Sequence, residues 1–140
     1  MSAAMNDDAV WAETTDGGLL KQLFGYYPTL HDAKILSIDI DRASDRIAMV
    51  VDYNDMIGED HTQQMSVRIR LEWKGITNFE LPLGDKDLIG LDFGRQENQI
   101  VTSIETWFGV FGKIVSDTVE ATLVQMDPGD GDEMSWIRYN

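Results

Sequence analysis

Apolar residues recur at every second position over most of this chain, and only its opening stretch departs from that rhythm. Met65, Val67, Ile69, Leu71 and Trp73 alternate with Ser66, Arg68, Arg70 and Glu72, the pattern of a strand with one buried and one wet face. Ile47, Met49, Val51 and Tyr53 alternate in the same way, as do Leu36, Ile38 and Ile40 against Ser37, Asp39 and Asp41. Arg42-Ala43-Ser44-Asp45 reads as the turn that joins these two runs into a hairpin. Asn54 to Gln63 is polar and predicts a loop. Lys74-Gly75 predicts a turn, and Phe79, Leu81 and Leu83 a short strand that Pro82 confines to an edge or to its own end. Leu88, Ile89, Leu91 and Phe93 fit either a strand or a short helix. Gln99 to Trp107, Val119 to Met126 and Met134 to Tyr139 predict further strands, with a packed turn over Phe108 to Gly112 and an acidic turn over Asp127 to Glu133.

Before Ala33 the spacing is helical. Leu19, Leu20, Leu23 and Phe24 share one face at i, i+3, i+4 steps, which predicts a helix over Gly18 to Phe24, capped by Asp16 and ended by Gly25. Asp8 is in position to cap a shorter helix over Ala9 to Thr14, after a loose start from Met1 to Asp7. Residues 1–15 together are expected to form a loose N-terminal arm. The fold expected from these patterns is α+β, mainly β. It is a single domain over residues 1–140, an antiparallel sheet-rich unit of about seven strands led by one or two short helices.

Composition narrows the function more than the fold. At 140 residues the chain suits one domain with a real core. It has no cysteine, which removes disulfides, thiolate metal sites and cysteine nucleophiles together. There is no run of about 18 apolar residues and no basic, apolar leader, so a cytoplasmic protein is expected, with no membrane partner. The formal net charge is −14. Such a field repels nucleic acid and draws in cationic partners, although solubility alone is also served by it.

Few residues offer chemistry. His31-Asp32 invites comparison with metal-dependent phosphohydrolases, but the only other histidine is His61, and nothing in the spacing selects a metal site. After Pro28, the pair is better placed to tie down loose backbone groups at a strand entry, and both side chains are expected to be largely buried there. The acidic runs from Asp52 to Asp60 and from Asp127 to Glu133 lack the ligand spacing of a calcium loop. No phosphate-binding glycine loop or nucleophile elbow is present. The chain therefore reads as a non-enzyme, with no catalytic residues, no metal and no cofactor. Trp11, Trp73, Trp107, Trp136, Tyr26 and Tyr27 are either core or interface anchors. Trp73 follows the buried phase of its strand, and Trp107 is left open between packing and exposure.

The segment from Phe24 to Ile38 carries a further signal. Its Phe24-Gly25, Pro28, His31-Asp32-Ala33 and Leu36 resemble the signature of the immunity protein 50 family of bacterial polymorphic toxin systems. It departs from that signature at Leu30, where an aromatic is expected, and at Lys34, where an acid is expected. Leu71 to Leu81 and Phe93 to Ile100 are similar to later passages of the same family, so the likeness spans roughly residues 20–107. The resemblance implies a small bacterial intracellular protein that neutralises a cognate toxin by binding it. Gly25, Pro28, His31 and Asp32 would be its structural signature. Strand phase and loop position mark Asp39, Asp41, Asp55, Glu59 and Asp60 as outward acids available to a basic toxin. The rival expectation is a non-catalytic small-ligand or regulatory binding module, which a deep pocket lined by Trp and Tyr would favour.

Overall fold

The computed structural model describes residues 7–28, 30–57, 63–81, 87–107 and 111–128. Among the described residues two helices, α1 (Asp7–Glu13) and α2 (Gly17–Phe24), precede eight strands: β1 (Lys34–Asp41), β2 (Arg46–Ile57), β3 (Gln63–Lys74), β4 (Asn78–Glu80), β5 (Leu88–Gln96), β6 (Gln99–Thr106), β7 (Phe111–Ser116) and β8 (Thr118–Pro128). The class is as expected, mainly β with two short helices. The strands, however, form two antiparallel four-stranded sheets rather than one, in the orders β1-β2-β3-β8 and β4-β7-β6-β5.

The inner faces of both sheets share one core. Met65, Val67, Ile69, Leu71 and Trp73 are all buried, as their alternation requires, and so are Ile47, Met49, Val51 and Tyr53. Phe93, Ile104 and Ile114 answer them from the second sheet. Trp73 spans the interior, its Nε1–H donating to Thr102 Oγ1 at 2.8 Å, so that the indole carries no unpaired donor into the apolar layer.

The chain changes sheet twice at one place. Lys74 to Thr77 leads from β3 to β4, and Asp117 leads from β7 back to β8. Asp117 N–H is shared between the Lys74 and Gly75 carbonyls, at 3.0 and 3.2 Å. Gly75 has φ +70°, and a Cβ there would lie 2.3 Å from Asp117 Oδ2. Both the left-handed backbone and the close approach thus require glycine.

Several local expectations are corrected. Helix α1 is no loose arm over 7–13: Trp11 is fully buried, its ring edge-on to Phe93 with centroids 5.1 Å apart. Asp16 does not cap α2 with its side chain. Its carboxylate instead accepts Leu123 N–H at 2.7 Å, tying the interhelical turn to β8. A bulge between Ile35 and Ser37 breaks the alternation of β1, leaving Ile35 buried and Leu36 exposed, whereas Ile40 pairs with the buried Ile47 and is exposed near the end of this edge strand. The loop expected over Asn54 to Gln63 begins and ends as strand, because β2 runs on to Ile57 in register with Gln63 at the start of β3; residues 58–62 lie outside the described residues. Leu88 to Phe93 is strand. Phe111 and Gly112 belong to β7, an element the periodicity did not mark, and Phe111 is exposed rather than packed. The strand expected over Met134 to Tyr139 lies outside the described residues. Among the described residues no helix is long and apolar enough to cross a membrane.

Candidate functional site

The signature segment forms the junction between α2 and β1. Gly25 ends α2 in the left-handed conformation, φ 85°, and its N–H closes the last turn on the Lys21 carbonyl at 2.7 Å. Pro28 is buried. Leu30 and Asp32 then both take positive φ, 61° and 65°. Two such residues around one histidine are rare outside glycine and hold only where the surroundings over-determine them. The surroundings here are β5 and its neighbour. Asp32 N–H donates to the Leu88 carbonyl and Leu88 N–H donates to the Ala33 carbonyl, both at 2.9 Å. Leu30, where the family signature has an aromatic, is fully buried.

The side chains of His31 and Asp32 point outward, contrary to the burial expected of them, being 56 and 61% exposed. Besides facing each other, they reach groups distant in sequence. His31 Nδ1–H donates to the Ile89 carbonyl at 2.7 Å, and Trp107 Nε1–H donates to Asp32 Oδ1 at 3.1 Å. His31 Nε2 and Asp32 Oδ2 stand 3.5 Å apart, and the rings of His31 and Trp107 lie 6.2 Å apart. The result is a surface knuckle in which a histidine, a carboxylate and an indole fix one another on a strained, well-anchored loop. Among the described residues no three His, Asp or Glu side chains converge as a metal site would need. His61 lies outside the described residues.

Of the acids singled out by sequence, the three that are described do not form one patch. Asp39 is exposed on the edge strand β1. Asp41, at the end of the same strand, is partly engaged: its Oδ1 accepts Ala43 N–H at 3.1 Å. The Ser44 hydroxyl, helped by the backbone N–H groups of Ser44 and Ala43 and by the Arg46 guanidinium, holds its carboxyl below the usual value against an opposing desolvation. Asp55 lies on β2 nine residues beyond Arg46, the register partner of Asp41. At about 3.3 Å per residue that separates the two acids by roughly 30 Å. Glu59 and Asp60 lie outside the described residues. The acidic run from Asp52 includes no calcium loop at its start, for Asp52 is buried in mid-strand and accepts Ser66 Oγ–H at 2.7 Å.

Charge is unevenly spread. Lys34, Arg46, Arg68, Arg70 and Lys74 all fall on the outward face of the first sheet by strand register, five of the chain's eleven basic residues. Arg46 and Arg70 share Glu72 there, at 2.9 and 3.5 Å. A cleft of about 440 Å³ opens at the β1–β2 turn between Ile40, Asp41, Arg42, Asp45, Arg46, Ile76 and Phe79. No Trp or Tyr lines it, and its two arginines and two aspartates offset one another. Trp107 is the functional candidate that sequence left open. It continues the outward phase of β6, while its indole N–H bond to Asp32, 75 residues away, is a contact that no periodicity reports.

No family model, no curated protein and no solved structure matches the chain.

Proposed function

We propose that this protein is an immunity protein that neutralises a cognate polymorphic toxin in the bacterial cytoplasm by stoichiometric binding, without chemistry of its own. The observation that carries the reading is the use made of the signature. Gly25, Pro28, His31 and Asp32 belong to one strained junction that is pinned to β5 and offers its polar side chains to solvent. Strain kept at an exposed, pre-ordered loop suits recognition, since little freedom remains to be lost on binding. The charge of −14 supports a basic toxin, whose encounter it would accelerate. The small-ligand alternative ranks second, because the cleft at the β1–β2 turn has none of the Trp and Tyr lining that such a module was expected to show.

Co-expression tests the reading. The toxin domain encoded directly upstream should arrest growth alone, and this protein should relieve the arrest by forming a 1:1 complex. Persistent arrest with both proteins soluble would overturn it.

A further inference from the structure

The outward face of the second sheet carries an arrangement that neither the sequence patterns nor the signature marks. On β6, Thr102, Ile104 and Thr106 face the core, so Ser103 and Glu105 face out, and Trp107 follows in the same phase. Glu105 pairs with Phe111 on β7 and with Gly90 on β5. Phe111 is 66% exposed and Trp107 54%, two large aromatic side chains at the same end of neighbouring strands. Gly90 leaves the β5 side of that row without a side chain. The next outward row runs Asp92, Ser103, Lys113, Glu80 across all four strands. Acids thus outnumber bases around the aromatic pair, and Asp32 adds another beside Trp107.

We propose that this face, centred on Trp107 and Phe111, is the docking surface, and that its occupant is a protein presenting an apolar recess ringed by lysine or arginine. The inference rests on the immunity reading and specifies where and how the toxin is held. Three features commit it to such a partner. Trp107 is held at its indole N–H by Asp32, which in turn sits in the strained junction, so the ring is ordered before binding. Aromatic side chains of this kind dominate binding energy when they enter a pocket, with charged neighbours at the rim. The surrounding charge is negative here, whereas on the outward face of the first sheet Lys34, Arg46, Arg68, Arg70 and Lys74 are matched by Asp39, Asp41, Asp52, Glu72 and Glu120, which leaves no net negative charge to draw a cationic partner. The signature junction then acts as the buttress of the anchor, which explains why His31 and Asp32 are exposed yet rigidly held.

The test measures kinetics of binding to the toxin domain encoded directly upstream. Phe111→Ala and Trp107→Ala should each weaken the complex by about 30-fold or more, chiefly through faster dissociation. Phe111 is so exposed that its variant should keep the wild-type melting curve, which secures the test if Trp107→Ala perturbs the fold. Changing Asp92, Glu105 and Glu80 together to lysine should slow association by roughly tenfold at low salt, a difference that fades as salt rises. Arg70→Ala, on the opposite face, should leave binding within about twofold. If the wild-type protein binds and protects but the Phe111 and Trp107 variants do so equally well, the docking surface is wrong and the immunity reading stands. If the wild-type protein fails to bind at all, both fall.

Discussion

Asp32 shows how a single side chain changes meaning once its surroundings are known. A buried carboxylate satisfying backbone donors would cost about 1–3 kcal/mol on removal. Here the carboxylate is mostly exposed and its described partners are one indole N–H and the neighbouring histidine. Asp32→Ala should therefore lower stability by less than about 1 kcal/mol in a denaturant titration, while the mobility of the Trp107 ring, read by fluorescence anisotropy, should rise. A loss several times larger would mean that the side chain does support the backbone. The residues of this knuckle were visible in the sequence, but their exposure was not. The contacts that set it, to Ile89 and Trp107, span 58 and 75 residues and leave no trace in local spacing.

At the scale of elements, legibility followed regularity. Strands β2 and β3 sit in the middle of the first sheet, and their alternation marked the large apolar side chains they bury, though not Ala48 or Asp52, which are buried on the other face of β2. Strand β1 is an edge with a bulge, so one extra residue threw Leu36 out of the apolar phase. Strand β7 is short, and Gly112 and Lys113 interrupt its pattern. The β1–β2 turn makes its own prediction. Ser44 is the main group holding the Asp41 carboxyl below 3.8, so Ser44→Ala should move its titration up toward that value in a carboxyl NMR experiment. Because the folded value is the lower one, the turn's contribution to stability is complete above about pH 3.8 and is lost as pH falls through the folded value. Gly75 governs the other turn of note. Gly75→Ala should destabilise by about 1–3 kcal/mol in thermal melts, through positive φ and collision with Asp117. A neutral outcome would show that Asp117 can swing away and the backbone can relax.

At the scale of the molecule, a single core shared by two sheets predicts that they melt together. Trp73→Phe leaves Thr102 Oγ1 without its donor inside that core, which should cost about 1–3 kcal/mol. The transition should still be one step, with circular dichroism and fluorescence coincident. Separate transitions would mean that the sheets are independent units. That there are two sheets was beyond the sequence pattern, since periodicity tells which face of a strand is buried and not which strand lies beside it. The order in which the strands meet has a cost during synthesis. Strand β3 finds its outer neighbour only in β8, and the whole second sheet is made between Lys74 and its partner Thr118. On the ribosome, the finished β1–β2–β3 unit must therefore wait with one flank open and its inner face uncovered. In that interval it is a template for any passing strand, so chaperone dependence during translation should exceed what the mature protein's stability suggests.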